Sequence, residues 1–221
     1  MSIRLAVSGS NLTGDVPFSA ALVTDAGTSV LSSPAGERGD LVRLCSTLCE
    51  QQSITPDQIE QVRIDVGPGS YTGLRVAVTF VRFLQAFGPV AVQAVDSLAV
   101  LALHASPHAE EGMCVRPMLD ARRGRYHTAR FALQGGQLVE LEGSTATNTE
   151  QVLAMLTPRE RIVMPPALAE QLAETLQERQ AQVVVARELT AAALLSDRLP
   201  WFVAKSENLE PRYLMATYAE D

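Results

Sequence analysis

The chain of 221 residues has few of the features that mark specialised protein classes. No apolar run reaches the roughly 18 residues that a membrane span needs, and the opening "MSIRLAVSGS" has no long apolar stretch, so we expect no signal peptide. Cysteine is scarce: Cys45, Cys49 and Cys114 are an odd number at no metal-like spacing. We therefore expect a reduced, cytoplasmic protein with no metal site and no cofactor, in which Cys45 and Cys49 are small core residues.

Positive charge is also scarce, because the net charge is −7 and Lys205 is the only lysine. A protein that binds nucleic acid unaided usually carries a basic face. If this chain acts on nucleic acid, we expect a partner to supply much of the electrostatic attraction. A content of 47% hydrophobic and 19% charged residues is typical of a globular protein and excludes a disordered one.

The first half of the chain predicts three strands, of which the second and third form a hairpin, followed by alternating helices and strands. Asp25-Ala26-Gly27 supplies the hairpin turn, and Asp40 is a plausible N-cap for the first helix. The predicted strands are 3–7, 18–24, 28–33, 62–66 and 90–95; the predicted helices are 40–52, 71–87 and 96–105, with a helical turn within 54–61.

The second half repeats this order of elements. We predict strands at 114–120, 125–133, 138–143, 161–165 and 182–186, and helices at 148–156, 166–180 and 189–198. A hairpin followed by βαβ units favours a mixed sheet covered by helices, and two copies favour a duplicated α/β fold. We place the domains at 1–106 and 107–221, with the last segment packing back on the first domain.

The glycine-rich stretch "VGPGSYTGLR", residues 66–75, lies between a strand and a helix and raises the question of phosphate binding. No lysine follows as in a P-loop, and the third glycine comes one residue too late for a dinucleotide fingerprint. Gly73 in the first helical turn costs about 1 kcal/mol relative to alanine. That cost is tolerable if another backbone approaches closely there, so we favour a role in backbone shape for Gly67, Pro68, Gly69, Ser70 and Gly73.

The helix that follows is apolar around most of its circumference, with Arg75, Thr79 and Arg82 as its one polar stripe. Such a helix is buried on most sides. Either another helix of this chain covers its outer side, or another protein does.

At this point the residues resemble a known family. "VGPGSYTGLRVAV" followed by "VAVQAVDSLAVLA" is similar to the bacterial TsaB (YeaZ) family, and "LDARRGRYHTARF" and "LEPRYL" (209–214) agree with it. The resemblance implies an ASKHA fold, that is, duplicated actin-like and RNase H-like domains.

The resemblance also implies a non-catalytic subunit that binds and activates the TsaD-type catalytic subunit, which forms threonylcarbamoyladenosine next to the anticodon of tRNA. A TsaE-type ATPase belongs to the same complex, and tRNA is an indirect partner. The family packs its two helices flanking the glycine loop on the catalytic subunit, here 40–52 and 71–87. The implied interface residues are Leu41, Leu44, Cys45, Leu48, Tyr71, Leu74, Val78, Val81 and Arg82.

The sequence departs from the family at three places: Ser8-Gly9-Ser10 replaces D-T-S, Gly39-Asp40 replaces a histidine-serine pair, and Met215 replaces an arginine. The first change argues against independent ATP hydrolysis. Two alternatives stay open: a homodimeric scaffold that uses the same helices, and an ASKHA ATPase or phosphotransferase. The latter would need carboxylates at the ends of the first strands in both halves, where only Asp120 is present.

One basic cluster stands out, formed by Arg122, Arg123 and Arg125, with Arg116 and Arg130 nearby in sequence. Exposed arginines there would contact tRNA phosphates or an acidic partner; the alternative is a solvated turn with salt bridges. His104 and His108 are four residues apart, but Pro107 lies between them, which favours a surface linker over a metal site.

Overall fold

The computed structural model describes residues 2–35, 37, 39–105, 111–157 and 160–214. They form two compact units. The first contains the described residues up to Ser97 with Leu189–Asp197 and Trp201–Arg212, and the second contains those of 98–188 with Arg198–Pro200, Tyr213 and Leu214. The boundary predicted at residues 106 and 107 lies outside the described residues, as do His108 and Met215. None of the described helices has both the length and the apolar character needed to cross a membrane.

The first unit is built on a six-stranded sheet. Its strands are β1 Arg4–Ser8, β2 Ser19–Thr24, β3 Gly27–Ser32, β4 Gln61–Asp65, β5 Ala91–Val95 and β11 Phe202–Ala204. The sheet order is β11-β5-β4-β1-β2-β3. β1 pairs antiparallel with β2 and parallel with β4, β4 pairs parallel with β5, and β11 adds an antiparallel edge. The helices of this unit are α1 Leu41–Gln51 and α2 Tyr71–Phe87, with 3₁₀ turns at Pro56–Gln58 and Ala191–Leu195; α3 Ser97–Ala105 belongs to the second unit from Leu98 onward.

The second unit repeats this arrangement. Its strands are β6 Cys114–Asp120, β7 Arg125–Gln134, β8 Gln137–Asn148, β9 Arg161–Met164 and β10 Gln182–Val185, and its further helices are α4 Thr149–Met155, α5 Pro166–Gln171 and α6 Ala173–Glu178. The strands form a five-stranded sheet in the order β10-β9-β6-β7-β8. The first strand, β6, pairs antiparallel with the second and parallel with the fourth, as in the first unit. The duplicated fold of mixed sheets with helices is thereby confirmed.

The core of the first unit lies between its sheet and the inner sides of α1 and α2. The side chain of Asp40 accepts a hydrogen bond from the amide of Arg43, so the predicted N-cap is confirmed. Cys45 and Cys49 are buried and free, as predicted for core residues, and burial raises the pKa of the Cys45 thiol to about 12.

Two predicted helices were wrong in extent. The helix expected at 166–180 is two short helices separated at Leu172, although Leu168 and Leu176 keep to the buried side. The helix expected at 189–198 is a 3₁₀ turn at Ala191–Leu195. The guanidinium of Arg63 donates to the carbonyl of Leu195 at 2.9 Å, which takes an acceptor that a longer α-helix would use.

Two strands also differ from the prediction. β8 extends to Asn148, five residues beyond its predicted end, because it stays paired with β7 down to Arg125. β11 was not predicted: three residues carry no periodic pattern, and only the pairing with β5 defines them as a strand.

Candidate functional site

The glycine loop packs backbone against backbone. An added Cβ on Gly73 would lie 2.0 Å from the carbonyl oxygen of Gly9, and one on Gly69 would lie 2.5 Å from that of Ser10. Gly67, with a φ of +113°, would place its Cβ 2.6 Å from the carbonyl oxygen of Arg212. The close backbone approach expected at Gly73 is therefore confirmed, and it explains why the helix tolerates a glycine in its first turn.

Three amides of this loop form hydrogen bonds within the protein. Gly67 N donates to the hydroxyl of Ser97 at 2.9 Å, and Ser70 N donates to the carbonyl of Ser10 at 2.8 Å. Ser70 is the N-cap of α2 and accepts from the amide of Gly73 at 3.2 Å. A phosphate site at a helix N-terminus needs amides that point at the ligand. These three amides are already occupied, and the Gly67–Pro68 peptide bond among them is cis.

A buried carboxyl group lies beneath the loop, at the end of β4. Asp65 has no exposed surface, and its Oδ2 accepts hydrogen bonds from the hydroxyls of Ser8 at 3.1 Å, Ser97 at 3.2 Å and Ser10. Burial raises the pKa of Asp65, and the three hydroxyls act in the opposite direction. Its Oδ1 has no hydrogen-bond partner. The group connects β1, β4 and the start of α3.

Sequence reasoning missed Asp65, because it searched for carboxylates only at the ends of the first strand in each half. The available signal was an aspartate directly before "VGPG", where the carboxyl end of a parallel strand meets the glycine loop. The motif could have predicted that position, but not the three serine partners.

The predicted interface residues fall into two groups. Tyr71 and Arg82 are exposed and Leu44 is half-buried. The other six are core residues with at most 6% exposure, so in this structure they have almost no surface to offer a partner: Leu41, Cys45, Leu48, Leu74, Val78 and Val81. They pack in the core beneath α1 and α2 and do not form part of the exposed surface of these helices.

The outer side of α2 carries a different set of apolar residues. Val76, Phe80, Phe83 and Phe87 recur every three or four residues and therefore line one face of the helix; Val76, Phe83 and Phe87 are exposed, and Phe80 is partly buried against the core. Phe83 is 61% and Phe87 77% exposed, and their ring centroids are 4.4 Å apart. We call these four residues the outer stripe. Among the described residues of α1, Val42 is also exposed, at 60%.

The basic cluster divides in the structure. Arg122, Arg123 and Arg125 are exposed in the turn between β6 and β7. Arg116, in contrast, is buried and bonded to Glu160 at 3.1 Å and Glu142 at 3.0 Å. Arg130 pairs with the same two carboxylates, at 3.2 Å and 3.4 Å. Only the first three arginines form a basic surface.

Comparison with known proteins identifies the family. The family model described as "TsaD: tRNA N6-adenosine threonylcarbamoyltransferase" matches residues 38–200, which is most of the chain. The chain belongs to this TsaD family. The match includes α1, the glycine loop, α2 and the second unit's sheet.

Comparison with individual proteins confirms the resemblance to TsaB (YeaZ) that the sequence motifs indicated. The tRNA threonylcarbamoyladenosine biosynthesis protein TsaB of Bacillus subtilis is 30% identical over 118 residues, covering 53% of this chain and 50% of that protein. The match thus spans half the length of that relative. The structure of YeaZ from Pseudomonas aeruginosa superposes with a TM-score of 0.74 at 21% identity, covering 97% of this chain and 100% of the other. A second Pseudomonas aeruginosa structure, titled as similar to peptidase YEAZ, gives a TM-score of 0.72 at 21% identity and the same coverage.

Proposed function

We propose that this chain is a non-catalytic subunit in the biosynthesis of threonylcarbamoyladenosine in tRNA, and that it binds and activates a TsaD-type catalytic subunit. The observation that carries the proposal is the outer stripe of α2. Apolar residues aligned along an exposed helix are typical of an interaction surface. Burying a side chain such as Phe83 would contribute about 1.5–3 kcal/mol.

The shape of the stripe favours a partner helix. From Val76 to Phe87 the stripe runs along about 16 Å of α2, at 1.5 Å per residue. Ridges of this kind pack into the groove of a neighbouring helix. Val42 on α1 enlarges the apolar surface, so a pair of partner helices could pack on α1 and α2 together.

The choice of a TsaD-type partner rests on the family. The matching model is named for the threonylcarbamoyltransferase, and the Bacillus subtilis relative is named as a biosynthesis protein of the same modification. In this proposal a TsaE-type ATPase joins the same complex, and tRNA is the substrate that the complex modifies.

The glycine loop supports a non-catalytic role. Its amides at Gly67, Ser70 and Gly73 bond within the protein, and its glycines abut the backbone of Gly9 and Ser10. Transferring a phosphoryl or acyl group requires groups that reach the substrate. Asp65, the carboxyl group nearest in sequence to the loop, has no exposed surface.

The test is the capture of the TsaD-type subunit by the purified full-length chain, measured as a dissociation constant. Phe83→Glu with Phe87→Glu places two charges on the outer stripe, and we expect binding to weaken by at least about a hundredfold. Val203→Glu is the matched control, since Val203 is 78% exposed on β11, outside the stripe. Val78 is unsuitable for this test because it is 2% exposed and a charge there would disrupt the core.

Three results would contradict the proposal. Equal binding by the stripe variant and the control would remove the stripe from the interface. A wild-type chain that forms a dimer through the stripe and captures no TsaD-type subunit would favour the homodimeric scaffold. ATP hydrolysis or threonylcarbamoyl transfer by the isolated chain would favour an enzyme.

A further inference from the structure

The turn between β6 and β7 is held rigidly by its own backbone. Ala121 N donates to the carbonyl of Arg125 at 2.9 Å, and Arg125 N donates to the carbonyl of Arg122 at 3.0 Å. The carboxylate of Asp120 accepts from the amide of Arg122 at 2.8 Å. These bonds define the backbone, while the side chains of Arg122, Arg123 and Arg125 extend from it as exposed groups.

The residues chosen for this turn carry a conformational cost. Arg122, Arg123 and Gly124 all have left-handed backbone angles, with φ of 67°, 54° and 70°. Hairpins that need this geometry usually place asparagine, aspartate or glycine there. Strained backbone of this kind concentrates at functional sites. Two arginines therefore occupy positions at which asparagine, aspartate or glycine is usual.

The charge of the turn is locally unbalanced. Residues 120–125 contain three arginines and one aspartate, a net charge of +2 in a chain whose net charge is −7. Among the described residues, no ion pair involves Arg122 or Arg125; Arg125 instead donates to the carbonyl of Ala146 at 3.4 Å. Arg116 and Arg130 of the same sheet each pair with two glutamates, so Arg122, Arg123 and Arg125 are the exposed members of this arginine cluster.

The surroundings favour nucleic acid over an acidic protein. The part of β8 paired with this end of β7, residues 145–148, has no charged residue and includes the exposed Thr145, which carries a hydroxyl. The exposed large apolar residues among the described part of this unit are Leu141, Met155 and Tyr213, none of which belongs to the turn or to that segment. Protein interfaces are centred on apolar and aromatic anchors, whereas nucleic-acid backbones are contacted by arginines and hydroxyls.

We propose that the arginine turn, residues 121–125, binds the phosphodiester backbone of a nucleic acid. Arginine donates two parallel hydrogen bonds to a phosphate, and because the backbone of the turn is already fixed, only the arginine side chains have to be ordered on binding. Contacts with phosphates carry affinity and position without reading sequence. The proposal goes beyond the activating role of the helices, because it gives the second unit a direct contact with the nucleic acid.

The test compares wild type with Arg122→Asn and Arg125→Gln combined, since asparagine accepts the left-handed backbone while the charges are lost. Binding of a fluorescent tRNA transcript to the full-length chain, alone and with its catalytic partner, is measured over a series of salt concentrations. We expect at least about tenfold weaker binding, and a salt slope reduced by about two because two phosphate contacts are lost. Arg179→Gln with Arg187→Gln, two exposed arginines of the same unit, is the control and should leave both quantities unchanged.

The same measurement with a duplex DNA of equal length distinguishes recognition of RNA from recognition of any nucleic-acid backbone. An equal loss with tRNA and DNA supports backbone recognition in general, and a loss with tRNA alone supports recognition of RNA. Unchanged affinity and slope would overturn the proposal, as would loss of the catalytic partner with tRNA binding intact, since the turn would then be a protein contact. The stripe variant should retain tRNA binding by the isolated chain, so each proposal can fail without the other.

Discussion

The two units share a strand order but differ where their first strands end. β1 ends at Ser8, and the residues after it lie against the glycine loop, with backbone contacts from Gly9 to Gly73. β6 ends at Asp120, and the residues after it form an exposed turn of arginines. The same topology thus has a first strand whose end is packed against the glycine loop in one unit and is followed by an exposed, charged turn in the other. Topology follows from the hydrophobic pattern, whereas the chemistry depends on a few residues at strand ends.

The units also bury polar groups in different ways. The first buries the carboxyl group of Asp65 among three hydroxyls. The second buries the guanidinium of Arg116 against the fully buried carboxylate of Glu160. Charge compensation stabilises the second arrangement and is missing from the first, so the two should respond differently to substitution and to pH.

The largest effect is expected from Glu160→Ala in the second unit. Glu160 bonds to Arg116 and Arg130, and its other oxygen accepts from the amide of Thr157 at 2.9 Å. Its removal leaves a buried guanidinium partly unpaired, which should lower the free energy of unfolding by about 3 kcal/mol. Urea denaturation measures this change. Glu142→Ala is the control, because the Glu142 side chain is 48% exposed and should cost less than about 1 kcal/mol. Similar losses for both variants would mean that burial does not govern this cluster.

The next effect is expected from Gly73→Ala in the first unit. Alanine favours the helix by about 1 kcal/mol, but its Cβ would meet the backbone oxygen of Gly9 at 2.0 Å. Separating the two backbones should lower the free energy of unfolding by about 2 kcal/mol net. Thermal and urea denaturation measure this change. Gly88→Ala is the control, because the nearest atom to a Cβ added at Gly88 lies at 3.7 Å. A Gly73→Ala variant more stable than wild type would show that the backbones of Gly9 and Gly73 are not in close contact.

The last effect is expected from Asp65→Asn and appears as a dependence of the free energy of unfolding on pH, with a direction given by the raised pKa of Asp65. Burial raises the pKa of Asp65 above its ordinary value of 3.8, so the folded state holds its proton more tightly than the unfolded state. The contribution of this proton to the free energy of unfolding is fully present below pH 3.8, and it is lost as the pH rises through the pKa of Asp65 in the folded state. Because asparagine does not titrate, Asp65→Asn should gain stability relative to wild type as pH rises from 3.8. Urea denaturation at several pH values checks this, and a difference that stays constant with pH would contradict it.

Much of the fold could be predicted because its signals are local. The alternation of apolar residues located the strands of both sheets except β11, and Asp40 marked the start of α1. Gly73 in the first turn of α2 correctly indicated a close approach of backbones. The candidate site was harder to predict, since the family resemblance named helices but could not say which of their residues would be exposed.

The sequence by itself determined the order of strands and helices, the duplication and the basic turn, because these depend on periodicity and on neighbours along the chain. Only the tertiary structure decided that Val78 faces the core while Phe83 faces outward, since both are apolar and lie on the same helix. It also decided that Asp65 is surrounded by serines from three separate segments, and that Phe202–Ala204 forms an edge strand. These features depend on packing between residues distant in sequence, and no local pattern encodes that packing.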